Sequence, residues 1–162
     1  MGNARLEQKV RDDMTPVTTR DARASDGPAI VRMMTALSRH HDDIARIEVE
    51  DLMFLCFGPA PWMRLIVAER DGAIVGYAAM QRKVQLQFAR RFLDVQHLFV
   101  SDDARGQGVG RALMQSACEY ARLQRCAEVA LGVMPANLDA RAFYEQLGFA
   151  PHDKGDAILL LR

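Results

Sequence analysis

Residues 105–111, Arg-Gly-Gln-Gly-Val-Gly-Arg, join a predicted strand to the start of a long predicted helix. The glycines at 106, 108 and 110 let consecutive backbone N–H groups turn toward one point, because glycine tolerates conformations that other residues avoid. The N-terminus of the following helix adds a partial positive charge. Together these features predict an anion site suited to a pyrophosphate. Taken alone, the stretch could also be a glycine-rich turn without a ligand.

Two better-known phosphate motifs do not fit this loop. A Walker loop requires Gly-Lys followed by Ser or Thr, and here Gly110 is followed by Arg111. The Rossmann fingerprint requires the spacing G-x-G-x-x-G, whereas these glycines occupy every second position. The loop is therefore predicted to bind an anion in another structural context.

Hydrophobic periodicity on both sides of the loop predicts one α/β domain over residues 15–162, preceded by an N-terminal extension at 1–14. Asp71-Gly72 is typical of a hairpin turn. The helix after the loop carries one apolar stripe, formed by Val109, Leu113, Ala117 and Ala121. We expect strands at 17–21, 63–69, 73–84, 92–100, 127–133 and 158–161, and helices near 30–37, 52–57, 108–123 and 138–147. This order predicts a mixed central sheet of about six to seven strands flanked by about four helices.

The loop and a second motif together resemble the GCN5-related N-acetyltransferases, the GNAT family. Residues 105–110 match the family pattern of Gln or Arg, two residues, Gly, one residue, and Gly or Ala, and His97-Leu-Phe-Val100 precedes them. Residues 137–149, Asn-Leu-Asp-Ala-Arg-Ala-Phe-Tyr-Glu-Gln-Leu-Gly-Phe, resemble the family signature N-x-x-A-x-x-F-Y-x-x-x-G-F. The resemblance covers residues 16–162 and implies the acyl-CoA N-acyltransferase fold and an acetyl-CoA-dependent N-acetyltransferase.

The resemblance also implies where acetyl-CoA binds. In the family the cofactor lies between two parallel strands that splay apart, here 92–100 and 127–133. The backbone of the first strand would pair with the pantetheine arm, the glycine loop would hold the pyrophosphate, and Asn137 would meet the cofactor from the end of the second strand. The cofactor-binding residues are thus expected to be Leu98, Phe99, Val100, Arg105, Gly106, Gln107, Gly108, Val109, Gly110, Arg111 and Asn137. No metal is expected.

Acetyl transfer to an amine requires a neutral nucleophile, and an alkyl ammonium with a pKa of about 10.4 is rarely neutral at pH 7. A base is therefore useful. In the family a Glu or His proton acceptor matches position 94 or 96; Gln96 cannot take a proton, so Asp94 is the catalytic candidate. Strict alternation along the strand predicts that His97 points to the opposite face. His97 or water as the base, and a structural Asp94 paired with Arg90 or Arg91, remain the alternatives.

Tyr144 matches the family tyrosine whose hydroxyl faces the CoA sulfur. A phenol keeps its proton at neutral pH and can donate it to a departing thiolate. Tyr144 is therefore the second catalytic candidate. An aromatic residue that only covers the sheet is the alternative interpretation.

Composition narrows the classes of partner. The chain has 162 residues, and its 21 basic and 21 acidic side chains cancel, so there is no overall basic field for nucleic acid. No apolar run reaches the roughly 20 residues that span a bilayer, and no secretory signal is visible at the N-terminus. We expect a cytoplasmic protein without nucleic-acid or membrane partners. Residues 40–43, His-His-Asp-Asp, are interpreted as a solvated loop rather than metal ligands.

The acceptor is predicted from an acid-rich stretch between the first two helices, which borders the acceptor cleft in the family. It contains five acids, Asp42, Asp43, Glu48, Glu50 and Asp51, against the single base Arg46. Carboxylates here would concentrate a cationic amine, so a small primary amine is favoured; helix capping and solubility are the alternative role. Trp62 and Met63 either line the cleft or pack. A protein or peptide N-acetyltransferase and a non-catalytic acetyl-CoA-binding module remain open, as does the homodimer that is common in the family.

Overall fold

The computed structural model describes residues 16–40, 43–152 and 155–161. Within these residues seven strands form one mixed sheet, in the order β1-β2-β3-β4-β5-β7-β6. The strands are β1 (Thr18–Asp21), β2 (Arg64–Arg70), β3 (Ala73–Gln85), β4 (Arg90–Val100), β5 (Glu128–Gly132), β6 (Ala150–His152) and β7 (Gly155–Leu161). The α-helices are α1 (Gly27–His40), α2 (Val49–Phe57), α3 (Val109–Leu123) and α4 (Leu138–Gln146).

The predicted fold class is confirmed, with a sheet of seven strands and four α-helices in the described part of the chain. The short strand β6 was not predicted, because its three residues are too few to show the alternation of apolar and polar side chains and include Pro151. It is an edge strand that pairs only with β7, and an edge tolerates proline. The predicted extension at 1–14 lies outside the described residues.

The sheet separates two apolar layers. On one side, called here the α3/α4 face, Leu113 and Met114 of α3 pack with Leu93 and Val95 of β4. The predicted stripe on α3 is buried in this layer, as Val109, Leu113, Ala117 and Ala121 are each at most 3% exposed. On the other side, the α1/α2 face, the layer comprises Ile30, Met34, Leu52, Leu65, Val67, Tyr77, Ala79 and Phe99.

A β-bulge interrupts β4 at Gln96. Ala79 of β3 pairs with His97, but the next residue, Met80, pairs with Val95, so Gln96 is an extra residue in β4. An extra residue reverses the alternation of side chains on either side of it.

Consequently His97 and Asp94 lie on the same face of the sheet. His97 faces the α1/α2 layer with Ala79 and Tyr77, and Asp94 lies opposite Gln81, which follows Ala79 on that face. The expectation that His97 points away from Asp94 is therefore wrong, because it assumed an unbroken strand.

Strands β4 and β5 are parallel neighbours over only the first part of β4. Their pairing runs from Phe92–Glu128 to Val95–Leu131, whereas β4 continues to Val100 and β5 ends at Gly132. Beyond Val95, the edge of β4 that faced β5 has no strand partner within the described segments. The two parallel strands thus diverge at the place where the resemblance predicts a splay.

Candidate active site

A 3-10 turn at Asp102–Ala104 joins β4 to the glycine loop, which ends at α3. Gly106 has a φ angle of +72° and Gly108 a φ angle of +82°, both in the left-handed region that glycine adopts without strain. Gly108 is also the N-cap residue of α3. A Cβ at either glycine would meet no described atom within 4 Å. The backbone at these positions therefore faces open space, with room for a ligand to approach its N–H groups.

Side chains of the loop mainly hold its shape. The Arg105 guanidinium lies 2.9 Å from Asp102 Oδ1, and Gln107 Nε2 donates to the Asp103 carbonyl at 2.8 Å. Gln107 Oε1 also accepts a hydrogen bond from Arg70 Nη1, which ties the loop to the end of β2. These contacts leave the backbone as the main ligand-binding surface.

Two residues predicted to touch the cofactor have packing roles in the structure. The Val109 side chain is 1% exposed and belongs to the core, so only its backbone could meet a ligand. At Gly110 a Cβ would come within 3.1 Å of the Phe143 ring, so this glycine lets α3 approach α4 closely.

Asn137 follows β5 and directly precedes α4. Its Oδ1 accepts a hydrogen bond from the backbone N–H of Ala140 at 3.1 Å and so caps α4. The capping oxygen is thereby occupied, and a contact with the cofactor would use the amide Nδ2.

Tyr144 is half-buried in α4, on the α3/α4 face. Its ring packs edge-on against Phe143 and Phe149, with ring centroids 5.1 Å and 5.7 Å away. Burial raises the pKa of its hydroxyl to about 12. Tyr144 therefore keeps its proton at neutral pH, which is the state that a proton donor to a thiolate requires.

Asp94 forms an ion pair with Lys83, whose Nζ lies 2.5 Å from Asp94 Oδ2. In the alternative interpretation of Asp94 as a structural carboxylate, the expected partner was Arg90 or Arg91; Arg90 instead bonds to Glu128 at 2.7 Å. Lys83 meets Asp94 because Gln81 pairs with Asp94, which puts Lys83 diagonally across on the same face. Sequence reasoning missed Lys83, although the hairpin register would have found it.

Tyr77 anchors His97. Tyr77 is wholly buried, and its hydroxyl lies 3.2 Å from His97 Nδ1. Burial raises the pKa of Tyr77 well above its usual value, so the hydroxyl remains a donor. The tautomer that accepts this bond at Nδ1 carries its proton on Nε2, whereas the other tautomer donates from Nδ1 to the hydroxyl. The contact orients the His97 ring in either case.

Two open cavities lie on either side of the α1/α2 layer. One, of about 460 Å³, is lined by Trp62, Met63 and Gln81, the residue paired with Asp94. Trp62 is 72% exposed there, so it lines a cavity rather than packing in the core. The other, of about 590 Å³, lies between α1 and the β2–β3 turn and reaches Phe99 and Ser101 at the end of β4.

Comparison with known families decides the class of protein. The family model described as Acetyltransferase (GNAT) family matches residues 31–149, which include the glycine loop, both catalytic candidates and the second motif. The chain belongs to the GNAT acetyltransferase family. It is therefore an acyltransferase enzyme.

Relatives of this GNAT chain include two mammalian acetyltransferases. The chain is 33% identical to N-acetyltransferase family 8 member 3 of Rattus norvegicus over 117 residues, which are 71% of this chain and 47% of the relative. It is 27% identical to thialysine N-epsilon-acetyltransferase of Sus scrofa over 145 residues, which are 83% of this chain and 85% of the relative. The chain thus spans about half the length of the rat protein and most of the length of the pig protein.

A solved structure has a similar fold. The crystal structure of a transcriptional regulator from Bacillus halodurans C-125 superposes with a TM-score of 0.73 at 28% identity. The match covers 86% of the GNAT chain and 97% of the other protein. The likeness therefore extends over most of the chain.

The acid-rich stretch of this GNAT chain has local capping contacts. Asp43 Oδ1 accepts from the backbone N–H of Ile44 at 2.7 Å, and the Glu48 N–H donates to Asp51 Oδ2 at 3.0 Å in a capping box at the start of α2. Asp42 lies outside the described residues. The capping interpretation thus holds for Glu48 and Asp51, whereas Asp43 makes a local contact in the loop after α1. Glu50 is a described acid without a capping hydrogen bond.

Neither a metal centre nor a membrane span is found in the segments that the structure describes. No group of three or more His, Cys, Asp or Glu side chains is placed there to hold a metal ion. None of the helices in those segments is long and apolar enough to cross a membrane. His41 and Asp42 of the histidine-aspartate stretch fall outside them.

Proposed function

We propose that this enzyme transfers the acetyl group of acetyl-CoA to a small cationic primary amine, by direct attack of the amine on the thioester. The observation that carries the proposal is the divergence of β4 from β5 beside the glycine loop. An extended pantetheine arm can add to the open backbone edge of Leu98, Phe99 and Val100 as a strand adds to a sheet. The same arm would lead to a pyrophosphate at Gly106 and Gly108.

The two catalytic candidates lie on opposite faces of the sheet. Asp94 is on the α1/α2 face, and Tyr144 packs on the α3/α4 face. An amine arriving from the α1/α2 face would lose a proton to Asp94 and attack the carbonyl carbon. The amine adds to the carbonyl group and forms a tetrahedral intermediate, whose nitrogen loses its second proton to solvent. As the intermediate collapses and the C–S bond breaks, Tyr144 would donate its proton to the CoA sulfur and regain one from solvent.

A small cationic acceptor is favoured by two observations. Between α1 and α2 and in the first turn of α2 the acids outnumber the bases, and Glu50, in that first turn, makes no capping hydrogen bond in the structure. The pig relative is named for acetylation of thialysine, a small amine, and matches over 83% of this chain. We further propose one domain at 15–162, a short N-terminal extension at 1–14, a cytoplasmic location and a homodimer.

A panel of acceptors tests this proposal. Acetyl-CoA is incubated with the enzyme and lysine analogues, polyamines, neutral amines, acidic amines or peptides, and both free thiol and acetylated product are measured. We expect cationic small amines to give the highest kcat/KM. Preference for a peptide or an acidic amine would contradict the acceptor class. Tight CoA binding with no product from any acceptor would instead support a non-catalytic binding module.

A further inference from the structure

Lys83 is placed where the proposed function puts the amine of the substrate. It lies on β3 with its side chain on the α1/α2 face, and its Nζ is 2.5 Å from the carboxylate of Asp94. The side chain of Asp94 is 17% exposed and that of Lys83 41% exposed, so the pair lies at the rim of the face rather than in open solvent. One residue beyond Asp94, at Val95, β4 parts from β5.

Lysine is rare in this chain, so the presence of a lysine rather than an arginine beside Asp94 calls for an explanation. Against 21 lysines and arginines together, lysine occurs only at Lys9, Lys83 and Lys154. The neighbouring Arg82, Arg90 and Arg91 could hold a carboxylate equally well, but a guanidinium stays protonated and cannot serve as a nucleophile. The residue that contacts Asp94 is a primary alkyl amine, which is the acceptor class of the proposed reaction.

We propose that Lys83 is a modification site: the enzyme transfers an acetyl group from acetyl-CoA to its own Lys83 Nζ. This inference rests on the proposed function, since it uses the same base and the same donor. The Lys83 ammonium gives one proton to Asp94, and neutral Nζ attacks the thioester carbonyl. The C–N bond forms, the nitrogen loses its second proton to solvent, the C–S bond breaks, and Tyr144 protonates the thiolate and is reprotonated from solvent. The products are an amide, free CoA and one proton, which Asp94 releases.

Acetylation of Lys83 would change the site in a defined way. The amide carries no charge, so the ion pair with Asp94 is lost and the carboxylate becomes available to an external cationic amine. Before modification Lys83 competes with that amine for Asp94. The modified enzyme should therefore have a lower KM for a cationic acceptor than the unmodified enzyme.

The full chain is incubated with acetyl-CoA alone, digested with trypsin and analysed by mass spectrometry. Acetylated Lys83 resists trypsin, so its peptide begins at Lys83 instead of Val84. Lys9 and Lys154 in the same sample report direct chemical acetylation. We expect Lys83 to react faster than both, with a rate constant independent of protein concentration. Tyr144→Phe should slow Lys83 alone by about 10²-fold or more.

Two variants test whether the modification occurs at Lys83 and depends on Asp94. Lys83→Arg keeps a cation beside Asp94 but should give no modified peptide at this position, and its thermal midpoint shows whether the fold is intact. Asp94→Asn should slow the reaction of Lys83 without affecting Lys9 or Lys154.

The outcomes separate this inference from the proposed function. If amines are acetylated while Lys83 stays unmodified, the modification site is excluded and the proposed function stands. If neither amines nor Lys83 react, the proposed function fails as well. Equal acetylation of all three lysines, or a rate that rises with protein concentration, would overturn transfer within one molecule.

Discussion

Asp94 and His97 share one face of β4, although three positions separate them in the strand. The extra residue at Gln96 produces this relationship, since residues three apart in a regular strand point to opposite faces. The bulge directly follows Val95, the last residue that pairs with β5. The position of His97 on the face of Asp94 is therefore a consequence of one irregularity in β4, which lies where the pairing with β5 ends.

Replacing Gly108 by Val should weaken the binding of CoA. A valine at a φ of +82° carries backbone strain of about 1–3 kcal/mol, and its side chain would enter the space proposed for the pyrophosphate. Isothermal titration calorimetry with CoA measures the effect. Gly72→Val is the matched control, because Gly72 has a φ of +75° and equally open surroundings but lies in the β2–β3 turn. Unchanged CoA affinity in Gly108→Val would exclude the loop from the cofactor site.

Replacing Tyr144 by Phe should lower kcat by about 10²- to 10⁴-fold, the range typical of a lost proton donor. The ring contacts with Phe143 and Phe149 are retained, so the thermal midpoint should change little. Tyr120→Phe is the matched control, since it removes a hydroxyl from α3, where the ring packs under Arg64. Full activity in Tyr144→Phe would show that Tyr144 has only a packing role.

Stability should fall at alkaline pH, and Tyr144 should contribute to the fall. Its pKa is about 12 in the folded chain against 10.0 in the absence of burial. The stabilisation that comes from holding this proton is complete below pH 10 and is lost as the pH rises toward 12. Thermal midpoints measured across this range should drop less steeply in Tyr144→Phe. Some slope should remain there, because burial also raises the pKa of Tyr77.

Replacing Asp94 by Asn should slow acetylation most at neutral pH. At alkaline pH the amine loses its proton without help, so the variant should recover relative to the wild type. Lys83→Gln breaks the same ion pair but keeps the carboxylate, and it should show no such recovery. An equal loss at every pH in Asp94→Asn would indicate a role in binding or folding instead.

Substitutions at Glu50 and Asp51 should distinguish electrostatic attraction of a cationic substrate from capping of α2. Glu50→Gln should raise KM for a polyamine with kcat nearly constant, and the effect should shrink in high salt, where charges are screened. Asp51→Asn weakens the capping box of α2, so it should chiefly lower stability, by about 0.5–2 kcal/mol. Kinetics at two salt concentrations and thermal melts measure both effects. A KM that changes neither in Glu50→Gln nor with salt concentration would exclude electrostatic attraction of the substrate by Glu50.

The fold could be predicted from local features of the chain. Gly106 and Gly108 predict a loop with residues in the left-handed region, and both have positive φ angles in the structure. The stripe from Val109 to Ala121 has helical spacing and is buried as expected. Strand β6 was not predicted because three residues are too few to show a hydrophobic period. Such signals depend on neighbours in sequence, so a single sequence contains them.

The fold and the position of the glycine loop can be predicted from the chain alone, because backbone preferences and hydrophobic periods are local, and two motifs carry the family resemblance. Which side chains meet depends instead on how the strands of the sheet pair. Lys83 reaches Asp94 through the register of two strands, and Tyr77 reaches His97 across the same pair. The bulge at Gln96 moved His97 to the face of Asp94, and no residue type in Val95-Gln96-His97 marks it. One added residue in a strand changes every contact after it, and its position depends on how the whole sheet pairs.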